Sequence, residues 1–345
     1  MSSYKKGKNV TVEFMRFFAA ISILFLHSHV LISDISNNLC LNGWLYVEFF
    51  LILTGYFTAK HFEKVEYERE KLVERSLKYT YLKFKPMIPY IIITVIGSWV
   101  SFTLTQLIYS GESIVVLIYK VFKQVPFEIL LLPSRDSNFF VIPLWYLSAL
   151  LIVFPIVVLF VQIRNRYVVL WGAILYSVVY YGVVGIVDER EIPFCWLRII
   201  GGLMLGIALF EGMAIIQETK MSTGLKYGKA LAIILFAFLG VLIYFNVSMK
   251  RSIVLGFLFC LGSLFANKDK KPKDAPTNDK SSLFARVMLY LGEISMPMYI
   301  LHWFVAMLIG LILPKLAPNI KMILFVILTI VLSTTCNEML KKTRS

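Results

Sequence analysis

Residues 11–30 read TVEFMRFFAAISILFLHSHV, and this stretch decides the fold. A helix needs about 20 apolar residues to cross about 30 Å of hydrocarbon. The stretch supplies that length but carries Arg16 and His27 within it. Lys5, Lys6 and Lys8 precede it, as a basic region precedes the apolar core of a signal peptide. The two polar interruptions, and the lack of a small-residue cleavage site after them, predict instead an uncleaved first span near residues 12–32.

Outward from this span the pattern repeats. The chain of 345 residues is 58% hydrophobic and 16% charged, far from the balance of a soluble domain. Apolar runs between charged breaks predict further spans near 43–60, 86–108, 140–163, 167–187, 193–216, 229–247, 252–266, 291–313 and 320–338. With the first, that is an all-α, polytopic bundle of about ten transmembrane helices. It forms one domain over residues 1–345, with residues 268–282 as a flexible cytoplasmic linker rich in Lys, Asp and Pro. The apolar segment 113–132 is punctuated by Lys120, Lys123, Pro126 and Glu128, which predicts an interfacial or re-entrant piece.

The net charge of +14 does not mark a nucleic-acid binder, because the basic residues sit in short clusters between apolar runs. With the amino terminus inside, about 25 Lys and Arg fall in cytoplasmic segments and about 8 outside, so both termini are expected in the cytoplasm. Cys40, Cys195, Cys260 and Cys336 lack metal-ligand spacing, and no metal site is expected. Packing is their default role. Cys40 and Cys195 both fall near the outer face, which leaves a disulfide open in an oxidising compartment.

An ionisable group in the hydrocarbon zone costs several kcal/mol unless it is paired or faces water, which makes each one a functional candidate. Arg16, His27, Glu48, Arg198, Glu211 and His302 are such groups. Arg16 and His27 are eleven residues apart, which returns them to within about 20° of one helix face, about 16 Å apart along the axis. The second span runs back inward and brings Glu48 to the depth of His27. A carboxylate beside an imidazole is the arrangement a general base needs. Arg198 should lie in the same layer, to balance Glu48 or to stabilise developing negative charge. Competing structural readings stand beside these: an interhelical hydrogen bond for His27 or His302, and snorkelling for Arg16. His29 points away from His27, His61 is expected in solvent, and Glu211 could meet Arg16 or the headgroups. Trp44, Trp99, Trp171 and Trp196 fall at predicted span ends and fit an interfacial belt.

The string EFMRFFAAISILFLHSH, residues 13–29, resembles the first helix of the acyltransferase 3 family, whose hallmark is an Arg and a His separated by ten residues, here Arg16 and His27. GWLYVEFFLILTGYF, residues 43–57, is similar to that family's next helix, with Val47, Glu48, Phe49, Phe50 and Gly55 in place and Thr54 where Ser is usual. LWYLSALL around Trp145, LRIIGGLMLG around Arg198, and LGEISMPMYILHWFV with Ser295, Tyr299 and His302 continue the likeness in family order. Lys78, Lys83 and Lys85 stand where the family usually has arginines, and offer point charges instead of a planar fork.

The resemblance implies a membrane-bound O-acyltransferase. Such an enzyme moves an acyl group, usually acetyl, from coenzyme A on the cytoplasmic side to a hydroxyl of a surface or envelope carbohydrate. His27 would be the base or transient acyl carrier, supported by Glu48. Arg16, Lys83 and Lys85 would meet the donor phosphates. Arg198, Trp145, Tyr299 and His302 would serve the acceptor or stabilise charge, with His302 either lining the donor tunnel or acting as a second proton-transfer group. The expected partners are the carbohydrate acceptor and membrane lipid, with no nucleic acid, and the expected location is a bacterial cytoplasmic membrane. The rival from another class is a transporter or flippase for a lipid-linked sugar or polysaccharide, since buried His, Glu and Arg also build substrate paths.

Overall fold

The computed structural model describes residues 9–28, 40–132, 140–163, 165–185, 194–218, 227–266 and 283–343, and among them every regular element is helical. The expected linker 268–282 and His29 lie outside these residues. Each of the ten apolar segments forms a helix: α1 (Val10–His27), α2 (Tyr46–Phe62), α4 (Ile88–Thr105), α6 (Leu144–Val161), α7 (Arg166–Val179), α8 (Phe194–Glu218), α9 (Gly228–Tyr244), α10 (Lys250–Ala266), α11 (Leu283–Ile312) and α12 (Pro318–Lys342). Seven helical segments are long and apolar enough to cross a membrane; α9 is apolar but shorter, and α2 and α10 have 17 residues each.

Two more helices lie outside this set. The basic stretch before Pro86 forms α3 (Leu72–Phe84), which buries Ser76, Thr80 and Phe84 and exposes Val73, Leu77 and Tyr81 one turn apart. The punctuated segment forms α5 (Ile114–Ile129), whose Phe122 and Val115 are exposed, as suits an interfacial helix. Its inner end is anchored by the buried Glu128, which accepts from Trp99 Nε1 at 3.1 Å and from the backbone N–H groups of Phe140 and Val141. Trp99 is thus a buried donor, not the belt residue its position suggested, while Trp171 is exposed.

Local signals explain the ends. Asn9 caps α1 by accepting from the N–H groups of Thr11 and Val12, and Asn165 caps α7 in the same way. Pro318 opens α12, where its missing N–H has no helical partner to lose.

Lipid tails are as apolar as the side chains, so membrane helices associate through close packing at small residues. A Cβ on Gly55 of α2 would collide with the carbonyl oxygen of Leu203, and a Cβ on Gly206 of α8 would collide with that of Ile52. The two helices therefore touch backbone to backbone. Beside this contact an aromatic cluster fills the core, with Phe49 5.2 Å from Phe236 and 5.5 Å from Phe257. On the other side, α1 lies along α11, where Gly292 leaves room for Glu13.

All four cysteines carry free thiols, so Cys40 and Cys195 are not joined. Glu211 meets Arg166 at 2.8 Å, not Arg16, and Arg166 also holds Glu63 and Glu218. His61 is exposed and stacks on Tyr79 at 4.7 Å.

Gly206→Val should abolish the folded, detergent-extractable protein, because overpacking against backbone has no rotamer to relax into. Gly310→Ala, at a helical position with open space around it, should leave the melting temperature within about 2 °C. Fluorescence-detected size exclusion and thermal melts of the two variants check this.

Candidate active site

The site has three parts. The first is a cavity of about 270 Å³ between α1, α2, α3, α6 and α11. Arg16 and Lys83 line it together with the hydroxyl-bearing Thr54, Tyr146, Ser295 and Tyr299 and a wall of Val47, Phe50, Leu53 and Leu150. Arg16 is oriented by Glu13, one helical turn earlier, through a 2.9 Å ion pair. Lys83 lies over the ring of Phe154 at 5.1 Å. Lys85, in contrast, sits over Tyr81 at 5.7 Å and does not line the cavity.

The second part is the imidazole pair. His27, at the end of α1, stacks on His302 of α11 with ring centroids 5.2 Å apart, and meets Trp303 edge-on at 5.7 Å. His302 is 0% exposed, and its Nδ1 is 2.7 Å from the carbonyl oxygen of Tyr299. A carbonyl only accepts, so Nδ1 carries the proton and Nε2 of the neutral ring presents its lone pair. That Nε2 is buried without a hydrogen-bond partner among the described residues. Tyr299 joins the first two parts: its ring lines the cavity, its hydroxyl donates to the Pro143 carbonyl at 2.8 Å, and its own carbonyl sets the His302 tautomer.

The third part is a buried ion pair. Glu48 is 0% and Arg198 1% exposed. Arg198 Nε donates to Glu48 Oε1 at 2.6 Å, and the Tyr181 hydroxyl donates to Oε2 at 2.6 Å. The hydrogen-bond partners of Glu48 among the described residues are therefore Arg198 and Tyr181, in place of the expected imidazole of His27. The guanidinium lies over Trp44 at 4.7 Å and over Trp145 at 5.3 Å, with its Nη2 donating to the Trp44 carbonyl at 3.4 Å. Lys250 covers the Trp44 ring at 4.9 Å. Trp44 is thus a buried platform between two cations, not a belt residue.

Of the residues singled out in the sequence, the structure brings Arg16, Lys83 and Tyr299 into the cavity, His27 and His302 into one stack, and Glu48, Arg198 and Trp145 into one cluster. Sequence reasoning missed Glu13, Tyr181, Trp303 and the burial of Trp44. Tyr181 stands in a π-helical turn, Tyr180–Val184, that follows α7. Such turns shift the helical register, so a 3.6-residue period does not aim Tyr181 inward. Among the described residues no cluster of three His, Cys, Asp or Glu could hold a metal ion.

A family model described as an acyltransferase domain, that of the acyltransferase 3 family, matches residues 9–338. The chain belongs to that family. It is an integral membrane acyltransferase by family and by its apolar helices. No curated protein and no solved structure matches it. Within this acyltransferase the matched range contains all three parts of the site.

Breaking the buried ion pair from one side should be costly, because the remaining charge is left in a low dielectric; about 3–5 kcal/mol is typical. Arg198→Ala should therefore yield little folded protein. Arg198→Lys should rescue only partly, since an ammonium cannot lie flat between Trp44 and Trp145 while donating to Glu48. Replacing both partners, Glu48→Gln with Arg198→Met, should restore more folded protein than Arg198→Ala alone, as read by thermal melts in detergent.

Proposed function

We propose that this acyltransferase moves a short acyl group, acetyl in the first instance, from coenzyme A to a hydroxyl of a surface or envelope carbohydrate. The supporting observation is the cavity lined by Arg16, Lys83 and Tyr299, whose Tyr299 in turn bonds through its carbonyl to His302 of the stacked His27 and His302 pair. No carboxylate lines that cavity among the described residues, so its wall is suited to a phosphorylated ligand with an apolar arm. The rise from Arg16 to His27 is about 16 Å, a span that a thioester on a flexible arm can bridge from a phosphate held at the cations.

In this reading Arg16 and Lys83 bind the donor phosphates, while Lys85 adds only to the surrounding field. His27 takes the proton of the acceptor hydroxyl or accepts the acyl group before handing it on. His302, with its Nε2 lone pair buried beside His27, is the second proton-transfer group. The hydroxyl oxygen attacks the thioester carbon, the carbon–sulfur bond breaks, and the hydroxyl proton ends on the thiolate sulfur. Glu48 is a positioning residue: it holds Arg198 flat against Trp44 and Trp145, where the guanidinium and indole faces can meet a polar, ring-shaped acceptor. The donor side is cytoplasmic, with both termini there, in a bacterial cytoplasmic membrane; lipid surrounds the bundle and the glycan approaches from outside.

The test uses the full chain in nanodiscs with acetyl-coenzyme A and isolated envelope glycan. The wild type should release free thiol and leave an acetyl ester on the glycan. His27→Ala should lower kcat at least 100-fold with the donor KM within about threefold, as expected for the loss of a general base or nucleophile. Arg16→Ala and Lys83→Ala should instead raise the donor KM, about tenfold each, because they remove binding that the ground and transition states share. A wild-type chain that moves a lipid-linked sugar across the bilayer and leaves the thioester intact would overturn the reading in favour of a flippase.

A further inference from the structure

The face that α12 turns into the bundle is polar. Its buried residues are Phe325, Thr329, Ser333 and Asn337, one every four residues, and three of them carry hydroxyl or amide groups. Facing α11 and α12, α4 repeats that spacing with Tyr90, Thr94 and Ser98, all buried. A helix in a bilayer gains nothing from such residues unless other polar groups or water meet them.

Several buried hydroxyls among the described residues bond back to their own helix: Ser22 to Phe18, Thr58 to Thr54, Thr80 to Ser76, Ser295 to Gly292, and Thr329 to Phe325. Thr94, Ser98 and Ser333 do not. Their hydroxyl oxygens are buried without a hydrogen-bond partner among the described residues, and so are His302 Nε2 and Trp303 Nε1. These five orphan atoms lie on α11 and on α4 and α12, each of which packs against α11. Buried polar atoms left so by the protein are the usual sites of ordered internal water.

Cross-links fix the two ends of this seam. At one end the Tyr90 hydroxyl donates to Asn337 Oδ1 at 3.2 Å, and Asn337 Nδ2 donates to Glu293 Oε1 at 3.3 Å. Glu293 also meets Lys341 at 2.8 Å and is partly exposed, so this end reaches water. At the other end the ring of Phe325 lies 6.4 Å from His302. A Cβ on Gly97 would stand 2.6 Å from the ring of Phe304, which puts Thr94, one turn back, near the level of His302. From Asn337 to Phe325 the rise is about 18 Å.

We infer that α4, α11 and α12 enclose a file of ordered water that carries protons between Nε2 of His302 and the Glu293–Asn337 end of the bundle. The inference rests on the proposed reading of His302 as a proton-transfer group. A hydroxyl proton taken up at the imidazole pair leaves along Thr94 and Ser333 toward Glu293, on the side where the thiolate of the donor is released and gains a proton, while Ser98, one turn beyond Thr94, closes the far end of the file. The overall transfer neither consumes nor produces a proton, and the file separates the place of uptake from the place of delivery.

Two measurements on the full chain in nanodiscs test this. The first needs no activity. Millisecond radiolysis, which generates hydroxyl radicals from bound water, should oxidise Phe325 at least fivefold faster than Phe257, a phenylalanine equally buried at 0% exposure in the apolar core. Equal rates would mean a dry seam and would overturn the inference. The second compares Thr94→Val/Ser98→Ala with Thr94→Ser/Ser98→Thr, which keeps both hydroxyls. The first pair should lower kcat at least fivefold with unchanged donor KM and a larger solvent deuterium isotope effect, and the second should recover most of the rate. A kcat within twofold of wild type in both would overturn the proton role. A wild type that transfers no acyl group would overturn the proposed function and the proton's destination, while the radiolysis result would still decide whether the seam holds water.

Discussion

Everything in this bundle is arranged around one ion pair out of reach of water. Moving a carboxylate and a guanidinium into a low-dielectric interior costs several kcal/mol per ion even after relaxation. The pair of Glu48 and Arg198 is tolerable because its hydrogen-bonding capacity is taken up from several directions: by Tyr181 on the carboxylate, and by the Trp44 carbonyl and two indole faces on the guanidinium. Those partners come from α2, α6, α8, the turn before α2 and the π-helical turn after α7. One electrostatic requirement thus ties five separate pieces of chain together, and the glycine contact between α2 and α8 lets the two charged side chains meet at 2.6 Å.

The remaining polar groups fall along a second line. Arg16 and His27 on α1 are matched, at rising height, by Ser295 and His302 on α11, because the two helices run in the same direction and lie against each other. Cations sit at one end of this line and imidazoles at the other. The ion-pair cluster stands beside the line, joined to it through Trp145, Tyr146 and Tyr299. Charge, hydroxyls and a tautomer fixed by a backbone carbonyl are therefore presented in sequence along one line of side chains.

Much of this was legible before any coordinates. The apolar runs located all ten helices of the bundle core, and residue counting placed Glu48 and Arg198 at one depth. Depth is what hydropathy and a 1.5 Å rise can supply. What they cannot supply is rotation about each helix axis, and it is rotation that turned Glu48 toward Arg198 and left His27 facing His302. The small residues Gly55 and Gly206, which set that rotation, are visible in the sequence, but their partner backbone is not. Tyr181 was hidden by the π-helical turn, and Trp44 by the habit of indoles to mark interfaces. Lys85 was placed beside Lys83 by adjacency, whereas on a helix two residues apart face different ways.

The parallel embrace of α1 and α11 also bears on how the chain is made. The two helices that carry the paired imidazoles are separated by most of the polypeptide, so a ribosome delivers the first into the bilayer long before the second exists. Until then Arg16 and His27 sit in a partly assembled protein without the helix that later shelters them, and must be screened by lipid headgroups, water or a neighbouring insertion factor. Assembly of the imidazole pair is consequently a late event of biogenesis, and a chain halted short of its last helices carries the early motif without the means to enclose it.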